Sequence, residues 1–236
     1  MFTKVFSWTL KLFVISTLCI LVVSTGLPGP YPGNDVRAGD IEASDNEKSS
    51  LGAATLILPV PVWIVGTYDS EGVPNVMTAS WAGICNSSPP CVTISLTEGR
   101  YSYGNIIERK AFTINIPSEK FAAESAFFGT VSGRDFNKFD KTGLTAIKSD
   151  LVDAPYIREF PLVAECRLIH TYKVGSHVML IGEILDIKAD KSILKENGRP
   201  DIDLLKPFIY ATGSGTFHGM GKNLGLVREL QETIER

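Results

Sequence analysis

The sequence has few of the residues that build metal sites, disulfide scaffolds or nucleic-acid surfaces. Its 236 residues include three histidines and four cysteines, with no Cys-x-x-Cys pair. We therefore expect neither a zinc module nor a disulfide framework, and no metal site. Lysine and arginine number 23 against 26 acidic residues, a balance that argues against a nucleic-acid partner. The content of 44% hydrophobic and 21% charged residues is typical of a globular chain.

The N-terminal apolar run is too short for an ordinary membrane-spanning helix, which needs about 20 apolar residues. Residues Leu12–Val23 form a run of twelve without a charge, after Lys4 and Lys11. This order is typical of the basic and apolar regions of a signal peptide. We predict that residues 1–26 are a signal peptide, with an uncleaved membrane anchor as the alternative. The chain is then exported, either periplasmic or tethered to the membrane.

A composition change separates this segment from the rest of the chain. Residues 27–50 are rich in Pro, Gly, Asp and Ser without apolar periodicity, which predicts a flexible linker. From residue 51 to 236 the chain shows short β-branched and aromatic runs divided by turn residues. We predict a mainly β domain, a six-stranded antiparallel Greek-key barrel with a few short peripheral helices. The helical patterns are Tyr101–Arg109, Ser118–Phe128 and an amphipathic C-terminal stretch that needs a partner surface.

One strand segment, residues 75–81 (NVMTASW), carries two hydroxyl side chains on one face. Period-two geometry places Val76, Thr78 and Ser80 on that face. Such a face suits a planar polar ring, because hydroxyls bond ring edges without filling the space. The alternative is an edge strand with solvated hydroxyls.

The next two segments raise the questions of a disulfide and of an anion site. Cys85 and Cys91 flank a proline-containing turn, where a disulfide between them and two free thiols are both open. After the following strand, Arg100 and Ser102 stand at the start of a predicted helix. The guanidinium of an arginine, a hydroxyl and the free amides of a helix start together predict a phosphate site. An ordinary capped helix with a surface arginine is the alternative.

A histidine occupies the tight turn between the two longest strand segments. Gly175, Ser176 and His177 form this turn, so the imidazole of His177 is expected at a barrel rim, where a donor can meet a substrate. The glycine-rich stretch GSGTFHGMGKNLG near the C-terminus is either a ligand-approaching loop or a plain loop.

Taken in order, these motifs resemble the flavin reductase-like family of FMN-binding split barrels, with flavoredoxins among the relatives. The resemblance covers roughly residues 51–225, through NVMTASWAGICNSSPPCVTISL, EGRYSYGNI, AFTINIP, SGRDFNKF, GSHVMLIGEI and the glycine-rich tail. It implies a split barrel and a homodimer that holds FMN near the subunit interface. It also implies electron transfer from NAD(P)H through the flavin.

The resemblance also implies the site residues. It assigns the FMN ring and ribityl chain to Met77, Thr78, Ser80, Trp81, Cys85 and Asn86, the phosphate to Arg100, Tyr101 and Ser102, and a flavin-approaching segment to Lys138 and Phe139. His177 matches the family's Gly-x-His turn near the nicotinamide and is the candidate catalytic residue. Ser176 and Phe217 stand where many relatives carry Asp and Tyr.

Two functions follow from these expectations. The first is an NAD(P)H-dependent oxidoreductase that passes electrons through bound FMN to free flavin or another acceptor. The alternative is a flavoredoxin-type FMN electron carrier reduced by a redox partner protein, without NAD(P)H activity of its own. The sequence has no Rossmann glycine fingerprint, so a pyridine nucleotide must bind without one.

Overall fold

The computed structural model describes residues 48–234. The predicted signal segment and residues 27–47 of the predicted linker lie outside these residues. Within 48–234, no helix is long and apolar enough to cross a membrane. The chain divides into two units, Met1–Gly52 and Ala53–Arg236. The described part of the first unit, residues 48–52, has no regular secondary structure, and the fold below is that of the second unit.

Twelve strands and five α-helices lie within the described residues. In chain order they are β1 (Val60–Pro61), β2 (Trp63–Tyr68), β3 (Pro74–Ala79), β4 (Ala82–Ser87), β5 (Pro90–Leu96), α1 (Tyr101–Arg109), β6 (Ala111–Ile116), α2 (Ala122–Thr130), α3 (Lys138–Thr142), β7 (Ala146–Lys148), β8 (Pro155–Ile157), β9 (Leu162–Val174), β10 (His177–Ala189), α4 (Ile202–Leu205), β11 (Phe208–Ala211), β12 (Thr216–Gly219) and α5 (Val227–Glu232). Two 3₁₀ turns, Glu119–Phe121 and Lys191–Ile193, complete the set.

The main sheet has seven strands, in the order β3-β2-β6-β9-β10-β5-β4. Its two edge strands, β3 and β4, are joined by Ser80 and Trp81 alone. That link spans at most about 11 Å, because consecutive Cα atoms lie about 3.8 Å apart. In a flat seven-stranded sheet the edges would stand about 29 Å apart. The sheet must therefore curl into a barrel, and the Ser95 amide, which donates to the Trp81 carbonyl at 2.8 Å, ties the link to β5.

The predicted antiparallel barrel with short helices is confirmed, with seven strands in its main sheet rather than six. β9 and β10 form the long hairpin predicted from their sequence, with twelve residue pairs and two shifts of register, at Ile181/Gly182 and Ile184/Asp186. Two small sheets accompany the barrel, β1-β11-β12 and β7-β8. The extra strands come from short segments such as residues 82–87, which sequence patterns assign to a turn region.

Two apolar cores hold the domain together, and β3 lies between them. Alternate residues of β3 and β5 point into the barrel, where Met77 joins Ile94 and Phe112. The other face of β3 packs Val76 against Phe128 of α2 in the second core. Burial of a side chain as large as Phe128 contributes about 1.5–3 kcal/mol. This packing fixes the loops that flank α2 and α3 beside β3.

The predicted helices are present with adjusted bounds. Residues Tyr101–Arg109 are helical as predicted, whereas the second pattern begins as a 3₁₀ turn and continues as α2 to Thr130. The C-terminal helix α5 is shorter than its pattern; Leu230 is exposed on it, and Leu226 and Ile234 are exposed just outside its two ends. Its apolar stripe is therefore not covered by the domain itself.

Candidate functional site

No side chain of residues 48–234 caps the amide groups at the start of helix α1. Arg100 is the N-cap residue, in extended conformation, and it makes no side-chain hydrogen bond to the helix. The first turn contains no acidic residue. The first N–H groups of a helix lack intrahelical acceptors and carry partial positive charge, so they attract an anion.

A cavity of about 160 Å³ opens at this helix start. Three cationic residues, Arg100, Arg134 and Lys138, line it, and no carboxylate residue does. We call this the basic cavity, and its full lining is Asn75, Met77, Gly99, Arg100, Tyr101, Ser102, Phe128, Val131, Ser132, Gly133, Arg134 and Lys138. The predicted phosphate residues Arg100, Tyr101 and Ser102 therefore share one cavity with Met77 and Lys138.

The floor of the basic cavity contains a buried lysine. The ammonium group of Lys138 donates to the carbonyl oxygens of Val76 at 2.8 Å and of Phe128 at 2.9 Å. An ammonium has three N–H donors, so one remains for a ligand. Burial, together with the nearby charge of Arg100, lowers the pKa of Lys138 from 10.5 to about 8. A bound anion would favour the charged form.

Arg134 is a functional candidate that the sequence analysis missed. Its Nη1 donates to the Gly99 carbonyl at 3.0 Å, and its Cζ lies 5.1 Å from the centre of the Tyr101 ring. These contacts join the loop before α3 to the loop before α1. The available signal was its place in SGRDFNKF, the same motif that supplies Lys138, next to a glycine.

Gly133 brings this loop into contact with the cavity floor. A Cβ atom at position 133 would stand 2.0 Å from Asn75 Oδ1 and 2.8 Å from Tyr101 Cδ1. Only a residue without a side chain fits so close an approach. Tyr101 is held in turn, because its hydroxyl donates to Asp69 Oδ2 at 2.8 Å.

Asn75 is a second residue that sequence reasoning missed. It is 5% exposed, and its Nδ2 donates to the Ser102 hydroxyl at 2.9 Å. Its Oδ1 is buried and has no hydrogen-bond partner among residues 48–234. A buried unpaired acceptor costs free energy, and Gly133 packs against this oxygen. The sequence signal was its alternation with Met77 on β3.

The face of residues 75–81 that bears the hydroxyls packs against helix α2. The Thr78 hydroxyl donates to the Ser125 carbonyl of α2, and Val76 on the same face is buried in the second core. Helix α2 therefore covers part of the face that we expected to receive a flavin ring. Ser80, the next residue of that face, is outside the lining of the basic cavity. The assignments of Thr78 and Ser80 to the flavin stay predictions.

Trp81 and His177 form a separate aromatic surface, which we call the aromatic platform. Their ring centroids are 6.1 Å apart with an angle of 27° between the planes. His177 is the first residue of β10, after a turn in which Gly175 has a φ of +55°. Ser176 Oγ lies 3.0 Å from His177 Nδ1. The predicted turn position of His177 is thus what the structure shows, and Trp81 is 46% exposed.

The remaining predicted residues lie away from the basic cavity. Cys85 and Asn86 are on the exposed edge strand β4, where a bulge falls between Ile84 and Asn86. Cys85 and Cys91 are free thiols. Phe139 packs in the second apolar core. No group of three metal-ligating side chains is found in residues 48–234.

Comparison with known proteins gives a family match and a solved structural relative. A family model described as a flavin reductase like domain matches residues 55–215. The structure of flavoredoxin of Desulfovibrio vulgaris (Miyazaki F) is 44% identical, with a TM-score of 0.74, over 77% of this chain and 97% of that chain.

Two further relatives extend this comparison. An NADPH-flavin oxidoreductase of Streptomyces viridifaciens is 28% identical over 162 residues, 67% of this chain and 79% of that protein. The FMN-binding protein from Thermus thermophilus has a TM-score of 0.64 at 19% identity, over 78% of this chain and 99% of that chain. At that identity the likeness shows the fold alone.

Proposed function

The chain belongs to the flavin reductase-like family, and from this premise we propose that it binds FMN and transfers electrons between NAD(P)H and a further acceptor. The observation that carries the proposal is the basic cavity. Three cationic side chains and the free amides of α1 meet there without a carboxylate in the lining. This donor set matches a phosphate group.

The residues present fit the phosphate end of FMN. Arg100, Lys138 and the α1 amides would hold the phosphate. The cavity volume of about 160 Å³ is below the roughly 300 Å³ of small-molecule sites. The cavity would therefore hold the phosphate end of FMN, and the flavin ring would need a surface outside it, for which the aromatic platform is the candidate.

FMN would supply a ring that accepts a hydride and passes electrons on, chemistry that no side chain provides. The protein would contribute by holding the cofactor in place and by supplying positive charge near its phosphate. Lys138 and Arg100 would fix the phosphate end of the cofactor. At the platform, His177 can donate a hydrogen bond to the electron donor or to the ring edge.

The alternative is an FMN electron carrier that is reduced by a partner protein. The 44% identity to a flavoredoxin over nearly its whole length favours this function, whereas the NADPH-flavin oxidoreductase relative favours the enzyme. The predicted export also favours the carrier, because we expect pyridine nucleotides to be scarce outside the cytoplasm. Fractionation of cells that express the full chain tests this location.

We also propose that the active form is a homodimer. Trp81 of the platform and Ile84 on β4 are exposed, and the apolar stripe of α5 is uncovered. A second copy of the chain would cover such surfaces and enclose a flavin ring. Light scattering of the flavin-loaded protein measures the assembly, and a monomer at all concentrations would contradict this part of the proposal.

Aerobic purification with an absorbance spectrum tests cofactor binding, because oxidised flavin absorbs where protein does not. Steady-state consumption of NADH and NADPH with added FMN then separates the two functions. Turnover supports the enzyme. A yellow protein that dithionite reduces but NAD(P)H does not is the carrier. A colourless protein that takes up no FMN contradicts both.

A further inference from the structure

We propose that Cys85 and Cys91 form a reversible disulfide by exchange with a small-molecule disulfide, which makes the hairpin of β4 and β5 a redox modification site. Both cysteines are free thiols in this structure, and both lie outside the lining of the basic cavity. The proposal concerns the chemistry of the chain itself and does not depend on FMN binding.

The pairing of β4 with β5 places the two cysteines side by side. Ile84 pairs with Val92, and after a register shift Asn86 pairs with Cys91. In the register that Ile84 sets, the residue opposite Cys91 is Cys85, and the bulge adds one residue to β4. Cys85 and Asn86 therefore both oppose Cys91. Residues directly opposite each other have Cβ atoms about 4.5–5.5 Å apart, close to the roughly 3.5–4.5 Å of a disulfide.

Contacts at the connecting turn show that the side chains converge. The Pro89 carbonyl accepts a hydrogen bond from Asn86 Nδ2 at 2.8 Å and another from the Cys91 thiol at 3.4 Å. The bulged part of β4 and Cys91 therefore send side chains to the same oxygen. Burial raises the pKa of the Cys85 thiol, and the neighbouring Cys91 raises it further. Such an interaction between two thiols requires that they lie close together.

The two thiols differ in exposure, which sets the order of the reaction. Cys85 is exposed on β4, an edge strand with one neighbour in the main sheet. Cys91 is 3% exposed, so an external disulfide meets Cys85 first. Since β4 is paired on one side alone, a small shift can bring its bulge to disulfide geometry. The predicted export would place the pair in an oxidising compartment, where protein disulfides persist.

The exchange balances with the small disulfide as the oxidant. The Cys85 thiolate attacks one of its sulfurs, the S–S bond breaks, and one small thiolate leaves. The Cys91 thiolate then attacks the Cys85 sulfur of the mixed disulfide, and the second small thiolate leaves. In total the two cysteines lose two protons and two electrons, and the small disulfide becomes two thiols. A dithiol in excess reverses both steps.

Incubation of the full chain with oxidised glutathione, followed by alkylation in denaturant and mass spectrometry, tests the proposal. A mildly alkaline pH is used, because the thiolate is the attacking species. Trypsin cuts after Lys48 and Arg100, so the peptide of residues 49–100 contains Cys85 and Cys91 and no other cysteine. We expect this peptide to lose two hydrogen atoms and to carry neither alkyl label nor glutathione. Dithiothreitol should restore two labelled thiols.

The peptide of residues 159–167 is the internal control, because its Cys166 is buried in the barrel core and should remain reduced. Cys91→Ser is the matched variant, in which Cys85 has no second thiol opposite it, so we expect a stable glutathione adduct on Cys85. In the parent protein, two unchanged thiols, an equally stable adduct on Cys85 or a bridge between two chains would each overturn the proposal. If Cys91→Ser does not fold, the parent peptide alone decides.

Discussion

The basic cavity and the aromatic platform differ in how completely a single chain builds them. The floor of the cavity is buried, with Ser102, Lys138 and Asn75 between 1% and 5% exposed. At the platform, Trp81 is 46% exposed and its neighbour Ile84 is 79% exposed. One end of the proposed FMN site is therefore preformed, and the other is open. Affinity should come from the closed end, and the choice of electron donor or acceptor from the open end.

The largest expected effect is on stability, when Lys138→Met removes the hydrogen bonds at the buried end of the basic cavity. The carbonyls of Val76 and Phe128 lose their donor, and a buried polar group without a partner costs about 1–3 kcal/mol. We expect the free energy of unfolding of the flavin-free protein to fall by about 2–4 kcal/mol in chemical denaturation. Lys141→Met is the matched control, because Lys141 is exposed on the same helix. Equal stability of the two variants would contradict a supporting role for Lys138.

The next largest effect is expected on FMN affinity, when Gly133→Ala adds a Cβ atom where the loop touches the cavity wall. A Cβ atom there overlaps Asn75 Oδ1 and Tyr101, and overpacking costs about 1–3 kcal/mol. We expect Gly133→Ala to weaken FMN binding by a similar free energy in titration. Gly104→Ala is the control, since Gly104 is exposed on α1, lies outside the lining of the basic cavity, and a Cβ there meets no atom within 4 Å. If Gly133→Ala binds FMN as well as Gly104→Ala does, the loop is not seated as described.

The pH dependence of FMN binding distinguishes the basic cavity from the aromatic platform, because only the cavity contains the buried Lys138. The pKa of Lys138 is lowered to about 8, so its charge is lost as the pH rises through 8. We expect the dissociation constant for FMN to rise up to about tenfold between pH 7 and pH 9. Lys138→Met should lack this rise, and an identical pH profile in that variant would exclude Lys138 as its source.

The same pKa predicts a stability change with a definite sign. Because the pKa of folded Lys138 lies below its usual 10.5, the unfolded chain binds more protons between pH 8 and 10.5. The contribution of Lys138 to the stability of the flavin-free protein therefore grows as the pH rises through this window. Denaturation midpoints of the parent and Lys138→Met across these pH values measure it.

The smallest effect on binding is expected at the open end. His177→Ala removes an imidazole that contacts Trp81 and Ser176 at a half-exposed turn, and such surface changes are usually within about 0.5 kcal/mol. We expect FMN affinity within about threefold of the parent, while turnover with NAD(P)H falls if the protein is the enzyme. A loss of FMN affinity as large as that of Gly133→Ala would erase the distinction between the two ends.

Sequence reasoning located contiguous features more readily than long-range ones. The span of α1 and the cluster from Arg100 to Ser102 follow from local patterns, since a strand, a turn and a helix start succeed one another. The His177 turn follows for the same reason. Period-two alternation also separates the faces of β3, but it does not say what covers each face. The Thr78 hydroxyl meets a carbonyl 47 residues away, a contact that no local pattern reveals.

Arg134 and Asn75 were missed for the same physical reason. Arg134 reaches the carbonyl of Gly99 35 residues earlier, and Asn75 donates to Ser102 27 residues later. Both contacts depend on how the barrel brings separate loops together. The resemblance to the family located Lys138 but gave it no partner, and its two carbonyl contacts emerge only from the packing of α2 against β3.

The most direct test of the central claim is titration of the flavin-free protein and its Arg100→Ala variant with FMN, followed by flavin absorbance and fluorescence. Arg100 is the N-cap residue of α1 and lines the basic cavity together with Lys138. We predict a parent protein that binds FMN and a variant whose affinity is weaker by about 1.5–3 kcal/mol, the range for a hydrogen bond to a charged group. Equal affinities in the two proteins would contradict the phosphate placement on which the proposed function depends.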